Sequence, residues 1–354
     1  MNDSTDNIIV DTATRIFRDL CRPDTVNAAE RGEWPKALWD ALEESGLPLA
    51  WVPDELGGAG ATMADGFSVL RVAGRYAVPA PLAETLLAGW LLARAGITVP
   101  NGPLTIAPVH ADGHITLRSD GTLSGRARRV PFARNAGHIA VLVRRGGDPA
   151  VALVAAAGLP ISQSTSLAGE PRDDVSFDGV VPEVVQPAIV DQDRLVSFGA
   201  AVRLQQMAGA LEKILEQSVQ YALDRSQFGR PIAKFQAVQH NLATLAGEVA
   251  AAGAAADGAA ETIALEGPAS ERALLDVAVA KVRVGEAASN GAAIAHQVHG
   301  AMGFTYEHSL HHATRRLWAW REEFGNETLW AGRLGKLVAE QGAEELWPFL
   351  TQGT

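Results

Sequence analysis

The residues RSQFGRPIAKFQ, at positions 225–236, separate two long helical patterns and decide how the C-terminal half of the chain folds. The Gly-Arg-Pro break ends the first helix near Gly229. Pro231 suits the first turn of the next helix, because its φ is fixed and it has no N–H. Such a break leaves backbone N–H groups unpaired beside Arg225 and Arg230, and each guanidinium adds a bidentate fork. The segment therefore predicts a site for an extended anionic ligand.

Two further side chains in this stretch fit a partly aromatic ligand. Phe228 can cover a flat ring, and Gln236 offers a donor and an acceptor to an amide-like edge. The structural alternative pairs Arg225 with an aspartate and packs Phe228 in the core. A second segment, QVHGAMGF at 297–304, also follows a helical pattern, and a left-handed helix cap at Gly300 would explain its first glycine. Together the two segments suggest a dinucleotide held by helices.

The composition indicates a globular protein without a disulfide framework. The 354 residues are 47% hydrophobic, which allows a large buried core. A formal charge of −11 works against non-specific binding of nucleic acid or anionic membranes. The single cysteine, Cys21, excludes an intrachain disulfide and a cysteine metal cluster. The start lacks a signal-peptide pattern and no run reaches the ~18 apolar residues of a membrane span, so we expect a cytoplasmic protein.

The sequence pattern changes twice along the chain and predicts three domains. Residues 1–100 have helical spacing, 101–190 contain short alternating or β-branched runs between Gly and Asp turns, and 191–354 are helical again. The helices predicted in the last domain lie at about 193–225, 233–263, 270–299 and 307–321, with one more after Thr328. The predicted fold class is α+β, mainly α: an N-terminal helical domain, a central antiparallel β domain and a C-terminal four-helix bundle.

This order of domains and several separated motifs resemble the acyl-CoA dehydrogenase family. The passages that carry the resemblance are RxxFGxxxxxxQ in the first segment, QxxGxxGF in the second, GFTYEH after it, and WDALEESGLPLAWVPDELGGAG near the N-terminus. The resemblance covers nearly the full length. It implies an FAD-dependent oxidoreductase that introduces an α,β double bond into an acyl-CoA thioester, with a carboxylate removing the α-proton and hydride passing to the flavin.

The resemblance also implies which residues contact FAD, most of them across a subunit interface. The residues implied at the pyrophosphate and adenine side are Arg225, Phe228 and Gln236. The residues implied at the adenosine part are Gln297, Gly300, Ala301 and Gly303. Thr328 is implied to touch the flavin. An oligomer follows from this arrangement, and electron-transferring flavoprotein is the electron acceptor usual for the family.

The catalytic glutamate of the family, in a loop before the last helix, is missing from this sequence. Two alignments of the loop put Phe324 or Asn326 at its position, and neither side chain can take up a proton. Glu323 and Glu327 are the remaining candidates in the same loop, although a solvated helix end also explains them. The two passages with which the β domain of the family meets the flavin, a T-E-P-x-x-G-S-D-like stretch and a W-I-[ST]-like strand, are absent as well.

Some family members carry the base on a bundle helix instead. In this chain that position falls near Gly253, and the nearest glutamates, Glu248 and Glu261, are more than one helical turn away. The helical position therefore offers no base either.

These departures resemble the base-lacking partner subunit of heteromeric (α2β2) actinobacterial acyl-CoA dehydrogenases of steroid and lipid catabolism. The expected partners are then an acyl-CoA substrate and a homologous acyl-CoA dehydrogenase subunit, with no nucleic acid and no membrane. One alternative is a self-sufficient homo-oligomeric enzyme that uses Glu327 or Glu323 as its base. The other is a non-catalytic, flavin-binding structural protein.

Five histidines near the second segment have helical spacings that would allow metal binding: His296, His299, His308, His311 and His312. No paired cysteines or convergent carboxylates complete a recognised ligand set. We therefore expect hydrogen-bonded or solvated histidines and no metal.

Overall fold

The computed structural model describes residues 5–110, 112–342, 344 and 347–348, so the extreme ends of the first and third predicted domains lie outside the described residues. The N-terminal part is helical. Its α-helices are α1 (Thr5–Leu20), α2 (Pro23–Glu30), α3 (Lys36–Ser45), α4 (Met63–Arg75) and α5 (Leu82–Arg94). Helix α4 begins with a capping box, in which Thr62 and Asp65 each accept a hydrogen bond from the other's backbone N–H.

Short strands occupy the middle of the chain. They are β1 (Leu104–Ala107), β2 (Thr116–Leu117), β3 (Leu123–Ser124), β4 (Arg126–Pro131), β5 (His138–Arg145), β6 (Asp148–Ala155), β7 (Ile161–Ser162), β8 (Arg172–Ser176) and β9 (Val184–Pro187). One sheet has the order β3-β2-β5-β6-β9 with β1 also on β5, and a second has the order β4-β8-β7. The predicted fold class, α+β and mainly α, is confirmed.

Most strand pairs are antiparallel, as predicted, and the longest is the β5–β6 hairpin, which turns at Gly146 and Gly147. Two pairs are parallel: β1 with β5 and β2 with β5. The difference arises because neither β1 nor β2 is joined to β5 by a tight turn. The chain leaves this sheet to form β4 before β5 begins, and a connection of that length can return in the same direction.

The C-terminal part consists of long helices, as the periodicity predicts. They are α6 (Gln192–Asp224), α7 (Gln236–Glu266), α8 (Glu271–His299), α9 (Leu310–Glu322) and α10 (Glu327–Gln341). Their observed ends differ from the predicted ones by a few residues. Among the described helices, none combines the length and apolar character needed to span a lipid bilayer.

The prediction for Pro231 is wrong. A two-strand hairpin, β10 (Ser226–Gln227) and β11 (Arg230–Pro231), lies between α6 and α7, and a single 3-10 turn separates it from the start of α7 at Gln236. Phe228 and Gly229 both have positive φ, at 51° and 76°, which is the backbone of a type I′ turn. Phe228 and Gly229 thus reverse the chain direction. Pro231 lies in the second strand of the hairpin and not in the first turn of a helix.

Helices α4 and α6 cross in direct backbone contact. A Cβ atom added at Gly209 would lie 1.9 Å from the carbonyl oxygen of Arg71, and one added at Gly74 would lie 1.9 Å from that of Gln206. Any larger side chain at either glycine would push the helices apart. The N-terminal helices and the bundle therefore share one hydrophobic core.

Candidate functional site

The hairpin segment, residues 225–236, projects its ligand-type side chains into solvent. Phe228 at the tip is 92% exposed, and Arg225 and Gln236 are exposed as well. Phe228 meets the edge of Phe235, with ring centroids 6.2 Å apart, and the guanidinium of Arg230 lies 4.3 Å from the same ring. Phe228 is therefore not packed in the core. Among the described residues, Arg225 forms no ion pair with an aspartate, so the structural alternative is not observed.

The N-terminus of α7 adds an anion-binding feature to the hairpin segment. Its N-cap residue, Phe235, provides no side-chain hydrogen bond to the first-turn N–H groups. Those groups and the helix dipole of a 31-residue helix attract negative charge. Backbone donors and the Arg225 guanidinium therefore lie on one short stretch of chain, a combination that suits a pyrophosphate.

The second segment, residues 297–304, is also exposed. Gln297, Gly300 and Ala301 face solvent. Gly300 has a φ of 58°, and a Cβ atom added there would have no other atom within 4 Å, so open space adjoins its backbone. Gly303 is different: it is buried, and a Cβ there would lie 3.0 Å from the Cβ of His299. Gly303 therefore allows the segment to pack tightly on the end of α8.

Aromatic contacts place the two segments at the same end of the bundle. Tyr221, one turn before Arg225 on α6, stacks on His299, the last residue of α8, with ring centroids 4.5 Å apart. In the second segment, Phe304 stacks on His296 at 4.4 Å. Thr328 is exposed in the first turn of α10, and no described contact joins it to either segment.

Glu323, one of the two candidate bases, is held between two buried arginines. Arg172 Nε lies 2.7 Å from its Oε1, and Arg203 Nε lies 2.8 Å from its Oε2. Burial alone would raise the pKa of Glu323, but the two guanidinium groups lower it to about 2. A carboxylate with this pKa stays ionised and is a poor proton acceptor.

Further ion pairs extend this cluster through the molecule. Arg203 also pairs with Glu84 on α5, and Arg172 pairs with Glu170 at 2.8 Å. We call these four side chains, together with Glu323, the Arg–Glu centre. It joins α5, the β sheet carrying β8, α6 and the loop after α9, and every member is largely buried. The centre is thus a structural junction of the three parts of the chain.

The other positions of the loop also have structural roles. Phe324, with a φ of 54°, is buried against Gly199 of α6, where an added Cβ would lie 2.3 Å from its ring. Asn326 is the N-cap of α10 and accepts a hydrogen bond from the N–H of Leu329. The loop therefore offers no free acid at either alignment of the missing base.

Glu327, the second candidate, forms an ion pair with Arg321. It packs on α8 so closely that a Cβ at Gly285 would lie 2.1 Å from its Oε1. The buried Lys281 lies on the same face of α8, and its Nζ donates hydrogen bonds to the carbonyls of Arg321 and Glu323 at 3.1 Å each. Burial lowers the pKa of Lys281 to about 8. These contacts hold the loop against α8, and Glu327 is occupied by its ion pair with Arg321.

The alternative base position on the bundle helix is occupied by an arginine from another helix. Gly253 of α7 is buried, and a Cβ there would lie 2.9 Å from Nη2 of Arg71. Glu248 pairs instead with Arg283 of α8, and Glu261 is exposed. Arg71 is itself paired with Glu212 of α6 and with Asp257 of α7, at 2.7 Å each. The carboxylates beside the Gly253 position are therefore engaged in ion pairs with this arginine.

The histidines are mostly engaged inside the bundle. His312 Nε2 lies 2.8 Å from the Asn27 side-chain oxygen, and burial lowers the pKa of His312 to about 3. Glu30, His311 and His312 bring ligand-type atoms within 4.8 Å of one another. Both oxygens of Glu30, however, already bind arginines, at 3.0 Å from Arg315 and 2.9 Å from the next residue. Cation repulsion at this carboxylate opposes a metal ion.

Sequence reasoning missed the Arg–Glu centre because its members belong to no motif. A signal was nevertheless present. Glu84 interrupts the apolar run LAETLLAGWLL, and Arg203 interrupts the apolar pattern of α6. A charge in an otherwise apolar helix is expected to be paired when the helix is buried.

Comparison with known proteins identifies the class to which this fold and these segments belong. The family model of the acyl-CoA dehydrogenase C-terminal domain matches residues 194–330, and that of the N-terminal domain matches residues 3–98. The chain belongs to the acyl-CoA dehydrogenase family. The enzyme class and the FAD cofactor expected from the motifs are confirmed at the level of the family.

Two mycobacterial relatives match over most of this chain. The chain is 31% identical over 285 residues to the acyl-CoA dehydrogenase IpdE2 of Mycobacterium tuberculosis, covering 80% of each chain. It is 29% identical to IpdE2 of Mycolicibacterium smegmatis, covering 86% of this chain and 89% of the relative. The solved ChsE4-ChsE5 complex from Mycobacterium tuberculosis has the same fold, with a TM-score of 0.85 at 24% identity over 96% of this chain and 98% of the other. The expected resemblance to the acyl-CoA dehydrogenase family is confirmed, and the likeness to a chain of this two-component complex is one of fold.

Proposed function

We propose that this chain is the subunit of a heteromeric acyl-CoA dehydrogenase that completes the FAD site of a homologous partner and supplies no catalytic base. The observation that carries the proposal is the state of the loop before α10. Glu323 is ionised between two arginines, Phe324 is buried, Asn326 caps a helix and Glu327 is paired with Arg321. Meanwhile the FAD-type side chains of the hairpin segment remain exposed.

The residues present fit an FAD half-site that faces outward. Arg225 and the first-turn N–H groups of α7 would bind the pyrophosphate, and Phe228 would cover the adenine side. Gln236 would add a donor and an acceptor there. The open space at Gly300 would admit the adenosine part beside Gln297 and Ala301. Bound FAD would supply the hydride acceptor, and this chain would hold it in position.

A self-sufficient enzyme would need a loop acid that is free to take up a proton. Glu323 belongs to the Arg–Glu centre, and Glu327 is paired with Arg321. Freeing Glu323 would break a buried ion pair, which costs about 3–5 kcal/mol. We therefore assign proton abstraction to the partner chain, with Glu323 and Glu327 serving structure.

The names of the relatives guide the choice of substrate and partner. We infer an acyl-CoA ester, including bulky steroid-derived esters, because the solved structure of the Tcur3481-Tcur3483 steroid ACAD has the same fold. We infer electron-transferring flavoprotein as acceptor from the family. We expect the protein to act in the cytoplasm, in keeping with its free, buried Cys21.

The test is to purify this chain alone and together with a co-encoded homologue that carries the loop glutamate. FAD content by absorbance and turnover of acyl-CoA with an artificial electron acceptor are measured for each preparation. We expect FAD and turnover in the pair, and little of either in the single chain. Full FAD occupancy and turnover by the single chain would overturn the proposal in favour of a homo-oligomeric enzyme. FAD binding without turnover in every pairing would instead favour a structural flavoprotein.

A further inference from the structure

Three rings join the hairpin segment to the second segment, residues 297–304. Tyr221 on α6 stacks on His299 at the end of α8, with ring centroids 4.5 Å apart and ring planes 27° apart. His308, two residues before α9, lies edge-on to both, with its centroid 6.0 Å from that of Tyr221 and 4.7 Å from that of His299. We call Tyr221, His299 and His308 the aromatic link. It lies where α6 and α8 end next to each other.

The backbone of Tyr221 is bonded to the first FAD-type residue. Its carbonyl accepts a hydrogen bond from the N–H of Arg225 at 2.9 Å, and this bond closes the last turn of α6. The carbonyl of Arg225 in turn accepts a hydrogen bond from the N–H of Ile232 at 2.8 Å, at the base of the hairpin. The position of Tyr221 therefore sets where Arg225 and the hairpin leave the helix.

His299 has the equivalent place before the exposed part of the second segment. It directly precedes Gly300, whose φ of 58° turns the chain out of α8. Only 2% of His299 is exposed, and a Cβ atom added at Gly303 would lie 3.0 Å from its Cβ. The segment thus packs back onto this side chain, and the position of His299 sets where Gly300 and Ala301 meet solvent.

Tyr221 and His299 interact by stacking alone. Nδ1–H of His299 donates to the carbonyl of Ala295 at 2.8 Å, and Nε2 is buried without a partner among the described residues. Burial lowers the pKa of His299 to about 4, so its ring is neutral near pH 7. In the described part of the chain the Tyr221 hydroxyl forms no hydrogen bond. Stacked neutral rings at this separation attract each other.

An FAD molecule that uses both segments needs them at a fixed separation. Its pyrophosphate would lie at Arg225 and the start of α7, and its adenosine part beside Gly300. The hairpin tip and the backbone at Gly300 are both exposed, so few core contacts set the distance between them. A site that is already in its binding geometry binds more tightly, because less conformational freedom is lost.

We propose that Tyr221 and His299 are positioning residues of the FAD half-site, and that their stack fixes the distance between the hairpin segment and the second segment. This role rests on the proposed function, since it concerns the same half-site. His308 supports the stack from the side and is itself held by the N–H of Leu310, which donates to its Nδ1 at 3.1 Å. The rings need not touch FAD to act in this way.

FAD titration of the assembled complex tests the role. Tyr221→Leu keeps an apolar side chain but removes the ring, and we expect it to raise the Kd for FAD about three- to tenfold. Tyr221→Phe keeps the stack and should restore most of the affinity. Trp34→Leu is the matched control, because Trp34 is also half-buried and also pairs with one ring, that of Trp39 at 5.7 Å, in the N-terminal part of the chain. It should leave the Kd unchanged.

A double-mutant cycle shows whether the two rings act as a pair. His299→Leu alone should raise the Kd by a factor similar to that of Tyr221→Leu. The double variant should raise it no further, because one stack can be lost only once. Circular dichroism of every variant checks that the chain has folded.

Four results would overturn the positioning role. They are an unchanged Kd in Tyr221→Leu while Arg225→Ala raises it, an equal loss of affinity in Trp34→Leu, a loss in Tyr221→Phe as large as in Tyr221→Leu, and independent, additive effects in the cycle. The first of these leaves the half-site itself intact. If neither Arg225→Ala nor Tyr221→Leu altered FAD binding, the proposed function would fail instead.

Discussion

The hairpin segment and the Arg–Glu centre have kept different parts of one family pattern. The hairpin segment retains the FAD-type residues and presents them to solvent. The loop at the Arg–Glu centre lacks the family base, and its acid is paired with two arginines. Binding chemistry thus remains on the outside of the molecule, while the acids on the inside stabilise the fold. Under the proposed function, such a subunit would depend on a partner chain for its reaction.

The largest expected effect comes from breaking the Arg–Glu centre. Glu323→Gln leaves Arg172 and Arg203 facing each other without their shared carboxylate, which should lower the free energy of unfolding by about 3–5 kcal/mol. Urea denaturation measures this free energy of unfolding. Asp40→Asn is the control, because it breaks an exposed pair with Lys36 and should cost only about 0.3–0.5 kcal/mol. Similar small losses for both variants would show that the centre is not a structural junction.

A change in the hairpin segment should alter FAD binding and leave the stability of the chain unchanged. Arg225→Ala should weaken FAD binding by the assembled complex about 10- to 100-fold, because a charge-assisted contact to phosphate is lost. The unfolding free energy of this chain should hardly change, since Arg225 is exposed. FAD titration of the complex and urea denaturation of the single chain measure the two quantities. Unaltered FAD affinity would show that Arg225 does not belong to the FAD half-site. Arg144→Ala, at an exposed arginine of β5, controls for the change in net charge.

The third prediction concerns the stability of the protein at low pH. Burial lowers the pKa of His299 to about 4 and that of His312 to about 3, from an unfolded value near 6.5. The unfolded chain therefore takes up these protons first, and stability present above pH 6.5 is lost as pH falls toward 4. We expect His312→Gln to reduce this loss by about 1–2 kcal/mol, measured as unfolding free energy at pH 7 and pH 5. If the unfolding free energy of the variant depended on pH as that of the unmodified protein does, His312 would not contribute to the loss of stability.

The smallest effect on catalysis is expected at Glu327. Glu327→Gln should change turnover by the assembled complex less than about twofold, because the side chain is paired with Arg321 and packed on α8. A general base would give a loss of roughly 10²- to 10⁴-fold. Turnover with an artificial acceptor measures the difference. Replacing the loop glutamate of the partner chain is the positive control, and it should abolish turnover.

Local signals in the sequence explain which features were predictable. Helical periodicity predicts the bundle helices to within a few residues, because their apolar faces repeat with the helical period over about 30 positions. The turn at Gly146 and Gly147 follows from local backbone preference. Pro231 departs from its prediction because a positive φ at Phe228 is not a local preference of phenylalanine, so the type I′ turn is not evident from the sequence.

The sequence by itself determined the family, the order of the elements, the FAD-type motifs and the absence of the usual base, since all of these are carried by neighbouring residues. Only the tertiary structure decided what Glu323 and Glu327 do. The partners of Glu323, Arg172 and Arg203, lie 151 and 120 residues away from it, and Glu327 is fixed against another helix. An ion pair depends on distance and burial in three dimensions. No local pattern encodes either quantity, so the roles of these acids emerge only once the chain is folded.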